Sequence, residues 1–235
     1  VTAGENGTGF RLAYAPGVTP AKWANIWAER KPDVPLTLHQ TTATEIVPML
    51  REGGADAGFV RLPVDRDGLN VIPLYLETTV VVVPKDHAAA ALDEVTIADL
   101  AGEEVLQPLD DPIEWTDLPG EPAFTRPPTT GEAVELVAAG TGILLVPQSL
   151  ARLHHRKDLT YRPVTDAPQS QIGLAWLKDA TTDLMDDFIG IVRGRTVNST
   201  RGRTTSPAKR PTPQKPRKPT QPRSTNRTKK GHRPR

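Results

Sequence analysis

Residues 42–63, TATEIVPMLREGGADAGFVRLP, hold the pattern that decides the fold: a capped helix, a Gly-Gly turn and a buried strand ending on a charge. Thr42 or Thr44 offers the N-cap oxygen, Ile46, Val47, Met49 and Leu50 form the apolar stripe, and Gly53-Gly54 stops the helix where φ > 0 is needed. Ala57 to Val60 read as a short strand buried on both faces. Ligands of open α/β sheets settle at the carboxyl ends of such strands, which singles out Arg61.

The same alternation runs outward from this stretch. Upstream, Phe10, Leu12 and Tyr14 mark a strand and Pro16-Gly17 a turn. Thr19 then caps a helix with Pro20 at its first position and Trp23, Ile26, Trp27 and Arg30 on one face. Leu36 and Leu38 belong to a second strand. Downstream, Val71 to Leu74 leads into Thr78-Thr79-Val80-Val81-Val82-Val83-Pro84, whose unbroken β-branched run implies burial on both faces. The βαβαβ order predicts a parallel sheet covered by helices.

A shorter second section follows. Thr96 to Leu100 reads as a capped turn, Glu104 to Leu106 as a strand, and residues 107–128, rich in Pro and acid, as a long surface loop. In TTGEAVELVAAGTGILLVP, Thr129 and Glu132 predict a capping box, Gly140 the helix end and Ile143 to Val146 a strand, repeating the plan of the first section. Ser149 to His155 reads as helical, Leu159 to Val164 and Ile172 to Leu177 as extended, and Leu184 to Val192 as an amphipathic helix.

Composition narrows the function classes. The 235 residues contain no Cys and are 37% hydrophobic, enough for one large domain or two small ones and incompatible with disulfides. No early segment approaches the ~18 consecutive apolar residues of a membrane span, and VTAGENGTG lacks the order of a signal peptide, so the expected location is the cytoplasm, away from membranes. The net charge of +1 hides a division: residues 1–192 hold 14 Lys+Arg against all 28 Asp+Glu, a balance of −14, and residues 193–235 hold 15 Lys+Arg and no acid. From Asn198 onward Ala208 is the sole aliphatic or aromatic residue and prolines recur, so 193–235 is expected to be disordered, as are residues 1–9. Three uses of this tail stay open: a solubilising extension that contacts its own acidic body, sequence-independent binding to nucleic acid through phosphate neutralisation, or a protein partner.

No catalytic constellation assembles. His154-His155 point about 100° apart on a helix and have no third ligand at helical spacing, which predicts a surface face and no metal. Ser149 lacks a nucleophile-elbow pattern, and neither a P-loop nor a complete G-x-G-x-x-G occurs. No cofactor is expected.

Five marks in order resemble one family: FRLAYAPG (10–17), ERKPDVPLTLH (29–39), LREGGADAGFVR (50–61), ETTVVVVPKDHAAA (77–90) and VAAGTGILLVP (137–147). From about Phe10 to Val192 the chain resembles the effector-binding, or substrate-binding, domain of LysR-type transcriptional regulators. That resemblance implies a type 2 periplasmic-binding-protein-like α/β fold, with two Rossmann-like lobes closing on a small-molecule effector. Lobe I would comprise residues 10–82 and 165–192, and lobe II residues 83–164. Effector contacts implied by the likeness are Pro16, Gly17, Val18 and Thr19 after the first strand, Thr42, Ala43 and Thr44 at the second helix start, Arg61, Thr78 and Thr79 at the crossing, and Gly142 and Pro147 in lobe II. It also implies a side-by-side homodimer.

Helix N-termini at Thr19, Thr42–Thr44 and Thr129-Thr130 favour an anion, and Arg61 can add a bidentate carboxylate contact or instead form a structural ion pair. The expectation is therefore a non-enzymatic sensor of a carboxylate or other anionic metabolite, serving transcription. A transporter's solute receptor and an enzyme on the same lobes are the alternatives. The family's regulators open with a winged helix-turn-helix, whereas this sequence starts almost directly on the first strand, so operator reading in the family's way is not expected of it.

Overall fold

A computed structural model describes residues 9–195. The chain builds most of one lobe, crosses to build a second, and returns. In lobe I, β1 (Phe10–Tyr14), α1 (Ala21–Arg30), β2 (Leu36–Gln40), α2 (Ile46–Arg51), β3 (Ala57–Leu62) and β4 (Leu69–Glu77) follow in turn. Lobe II contains β5 (Thr79–Pro84), β6 (Glu104–Leu106), β7 (Glu121–Pro122), α3 (Thr130–Ala138), β8 (Ile143–Pro147), α4 (Gln148–Leu153) and β9 (Leu159–Pro163). β10 (Ser170–Leu177) and α5 (Asp183–Val192) complete lobe I.

Each lobe has a five-stranded sheet, in the orders β2-β1-β3-β10-β4 and β7-β6-β8-β5-β9. The βαβαβ order predicts a parallel sheet, but both sheets are mixed. β1 pairs in parallel with β2 and β3, but the returning β10 runs antiparallel to β3 and β4. In lobe II the crossing strand β5 lies antiparallel to both β8 and β9. Strands that enter from the other lobe arrive at the opposite end of the sheet, which reverses their direction.

The run Thr79–Val83 is buried throughout, as its β-branched composition predicted, yet it belongs to the second sheet. This corrects the expected boundary at residue 82: sheet membership changes at Thr78, between β4 and β5. The two crossings are tied together there, with the Thr79 hydroxyl donating to the Pro168 carbonyl and the Val164 N–H to the Thr79 carbonyl at 2.9 Å.

Lobe I packs around aromatic side chains. Phe10 lies 5.0 Å from Trp27 and 5.1 Å from Phe188, and Trp23 lies 4.6 Å from Phe59, by ring centroids. The Trp27 indole N–H satisfies the Val34 carbonyl at 2.8 Å. Gly58 lets α2 lie directly on β3, since a Cβ there would stand 2.4 Å from Ile46 Cγ2. Lobe II buries separate clusters on the two faces of its sheet, one including Val80, Leu144 and Val137, the other Val81, Leu145 and Leu100.

Several boundaries differ from the sequence reading. Pro20, not Thr19, is the N-cap of α1, and Glu45, not Thr42 or Thr44, that of α2; neither side chain caps its helix. The capping threonine of α3 is as expected, with Thr129 Oγ1 accepting from the Glu132 N–H at 3.2 Å. α5 closes on Gly194 (φ +69), with the Arg195 N–H reaching the Gly190 carbonyl at 2.8 Å, so the ordered body runs past the expected end at Val192. The disorder expected of 1–9 and 193–235 otherwise falls outside the described residues. Among those described, no helix is long and apolar enough to cross a membrane.

Candidate functional site

Between the two lobes lies a cavity of about 860 Å³. Lobe I lines it with Pro16 beyond β1, Gln40 at the end of β2, Thr42 to Thr44, Val47 and Pro48 around the start of α2, and Arg61 to Asp65 at the end of β3. Lobe II lines it with Leu109 to Pro112 and Glu114 from the loop after β6, Thr129 to Gly131 at the start of α3, and Leu150, Leu153 and His154 of α4 and its end. These segments follow β1, β2, β3, β6, β7 and β8, on the side of the carboxyl ends where the sheets leave a crevice.

Arg61 is inside β3, opposite Ile172 of β10, because the antiparallel partner extends the strand beyond the expected Val60. Its side chain is 5% exposed, and both terminal nitrogens are engaged. Nη1 pairs with the Glu77 carboxylate and donates to Ser170 Oγ at 3.0 Å; Nη2 donates to the Pro16 carbonyl at 3.0 Å and to Ser149 Oγ at 3.1 Å. Glu77 is at the first crossing, Ser170 at the second, and Ser149 in α4 of the opposite lobe. Of the two roles left open by the sequence, the structural ion pair is the one present: Arg61 brackets the cavity floor with its charge already met.

Gly17 explains how α4 comes so close. At φ +83 it adopts a conformation that L side chains rarely hold, and a Cβ would stand 2.6 Å from Ser149 Oγ. Gly17 therefore admits the other lobe; it does not line the cavity.

The acids of the loop after β6 dominate lobe II's side. Asp110 accepts from the Thr130 hydroxyl at 2.9 Å. Asp111 accepts from the Ile113 N–H at 2.9 Å and the Trp115 indole N–H at 3.3 Å. Burial pushes the Asp111 carboxyl up to about 6, outweighing these two donors and nearby Arg126, while Asp110 pushes it the same way.

Of the contacts inferred from the sequence, Pro16, Thr42, Ala43, Thr44 and Arg61 line the cavity together. Gly17, Val18, Thr19, Thr78, Thr79, Gly142 and Pro147 do not. Val18 is packed in the lobe I core and Thr19 faces solvent. Thr78 accepts from the Gln148 N–H at 2.9 Å through its carbonyl, and Thr79 is buried against Pro168. Pro147 pairs with Thr79 inside the sheet. Gly142 precedes β8, at the end of the strand away from the crevice, with its Cα face against the Glu104 carbonyl. His154, expected on a surface helix face, caps α4 and lines the cavity. No group of three or more His, Asp or Glu suited to a metal occurs among the described residues.

The model of the LysR substrate binding domain matches residues 18–196. The chain belongs to this family. It is 31% identical over 180 residues to a probable hydrogen peroxide-inducible genes activator of Mycobacterium avium, covering 71% of this chain and 54% of that protein. It is 27% identical over 184 residues to the Hca operon transcriptional activator HcaR of Escherichia coli, covering 73% of this chain and 61% of that protein. The chain thus spans little more than half the length of these curated relatives.

Among solved structures, the BenM effector binding domain with its effector benzoate aligns at a TM-score of 0.66 and 22% identity, covering 79% of this chain and 90% of that one. The oxidised form of OxyR aligns at a TM-score of 0.64 and 23% identity, covering 78% and 92%. These likenesses establish the two-lobed α/β LysR effector-domain fold.

The sequence reading missed Leu109, Asp110, Asp111 and Glu114. Applying the strand-end rule to β6 as it was applied to β3 points to them, because the loop that follows Leu106 must open onto the same crevice.

Proposed function

We propose that this domain senses a small-molecule effector in the interlobe cavity, without chemistry on it, and that occupancy serves transcriptional regulation. The observation that carries this reading is the crevice at the carboxyl ends of six strands, of a volume suited to a metabolite, in a LysR substrate-binding domain. The relatives' names as gene activators support the regulatory output.

Thr44 is exposed and lines the cavity from lobe I, so Thr44→Trp fills effector space without disturbing the core. A ligand found by thermal-shift screening on the full chain should bind at least about 100-fold more weakly to this variant. At ~100 times its dissociation constant it should stabilise the parent protein by ~2.7 kcal/mol. Equal affinity for both proteins would place the site elsewhere.

The sequence reading favoured a carboxylate effector, with Arg61 and helix N-termini as its anchors. Arg61 is spent on Glu77, which removes the first of these anchors. Two further elements belong to this reading: pairing with a second copy, supported by the family likeness, and sequence-independent contact of nucleic acid with the basic C-terminal segment, supported by its 15 cations. Sedimentation tests the first. For the second, duplex affinity should fall steeply with salt for the full chain and vanish when 196–235 is removed; equal weak binding by both forms removes nucleic acid from the reading.

A further inference from the structure

We propose that the effector carries a protonated amine or guanidinium, received by Asp110, Asp111 and Glu114 of lobe II, with its hydrocarbon body against lobe I. This rests on the reading that the cavity is the effector site, and it names the chemical class that the site takes.

The argument begins with what an anion would find. Both terminal nitrogens of Arg61 are engaged by Glu77, Ser170, Pro16 and Ser149. At α2 the Thr42 N–H already faces the Glu45 carboxylate at 3.4 Å, and at α3 the Glu132 N–H is held by Thr129. Arg61 and these two N–H groups are thus occupied by the chain's own oxygens; Thr130 and Gly131 at the start of α3 line the cavity, but an anion reaching their N–H groups would lie beside Asp110, which accepts from the Thr130 hydroxyl, and would face lobe II's carboxylates at short range.

A cation finds the reverse. Asp65 on the opposite lip is paired with Arg51, but among the described residues none of Asp110, Asp111 and Glu114 forms an ion pair. Arg126, the nearest cation of the same loop, donates its Nε and Nη2 hydrogens to the Gln107 and Pro108 carbonyls. Asp111 is the most telling of the three. Its oxygens are held by two neutral N–H groups, enough to orient a carboxylate but not to balance its charge after desolvation, and its carboxyl is raised to about 6 accordingly. A positive group beside it supplies the missing partner. Among its polar lining the cavity also holds apolar groups, Val47, Pro48, Leu62 and Val64 from lobe I and Leu150 and Leu153 from lobe II, which suit the carbon skeleton of an aliphatic or aromatic amine.

The test titrates the full chain by calorimetry at neutral pH with pairs matched in shape and opposite in charge: benzylamine against benzoate, phenethylamine against phenylacetate, 1,4-diaminobutane against succinate. The amines should bind, and Asp110→Asn or Asp111→Asn should weaken them roughly tenfold or more while leaving the circular dichroism unchanged. Should either Asn variant fail to fold, Glu114→Lys, at an exposed position, replaces it: the amines should weaken and the carboxylates gain. Failure of every amine to bind overturns the proposal. Carboxylates that bind the parent but not Thr44→Trp overturn the charge assignment and leave the cavity reading standing. Amine binding indifferent to Thr44→Trp and to all three acids overturns both.

Discussion

Glu77→Leu is expected to lower the unfolding free energy by about 3–5 kcal/mol, because it leaves the Arg61 guanidinium buried beside the crossings with its counter-charge removed. The side chains of Arg61 and Glu77 are 5% and 9% exposed, so water cannot replace the lost carboxylate. The double variant Arg61→Met/Glu77→Leu should recover much of that loss, since two well-packed apolar groups of similar size dispense with both desolvation penalties. Urea unfolding of the parent, the two single variants and the double variant forms a complete cycle, and the coupling it yields should exceed about 1 kcal/mol. Strictly additive losses would show that the pair contributes nothing beyond packing. The cycle also bears on the cavity: Arg61 holds Pro16 and Ser149 at the same time, so its loss frees α4 from the lobe I turn as well as breaking an ion pair.

Where the sequence and the structure agree, the signal was local. The β-branched run 79–83, the capping Thr129, the Gly-Gly turn and the amphipathic pattern of 184–192 each depend on residues a few positions apart, and each produced the element it implied. What could not be read depended on partners far along the chain. Arg61 lies 16 residues from Glu77, 88 from Ser149 and 109 from Ser170, so nothing near it announced that its charge was already matched. β5 could not be assigned to its sheet because a buried strand looks the same whichever lobe covers it. The threonines at the start of α2 were misread because the helix begins later, at Ile46, and the turn before it is held instead by the Glu45 carboxylate, which accepts from Thr41 Oγ1 and faces the Thr42 N–H. The cavity was half legible. Lobe I's lip followed from the strand-end rule applied to β3, whereas lobe II's lip lay in a stretch read only as a surface loop.

Phe188→Ala is the second large effect, with an expected cost of about 3–5 kcal/mol for a fully buried aromatic. Phe188 is on α5, the last element to return to lobe I, and its ring meets Phe10, Trp27 and Phe59 at centroid distances of 5.1, 5.8 and 6.1 Å. It therefore fastens the end of the domain to its first strand. No buried core residue is shared between this cluster and those of lobe II. The described polar contacts between lobes are confined to the crossings and to Ser149. The loss should consequently fall on one lobe. Peptide-resolved hydrogen exchange on the variant should show β1, β3 and β10 losing protection while β5 and β8 largely retain theirs. If β5 and β8 lose protection in step with lobe I, the lobes open as a single unit, and an effector would act on that unit instead of on the angle between two independently stable halves. A selective loss means that ligand bridging the two lips couples folding units that the chain itself joins only at its crossings, so effector binding should restore protection in lobe I of the variant more than in lobe II.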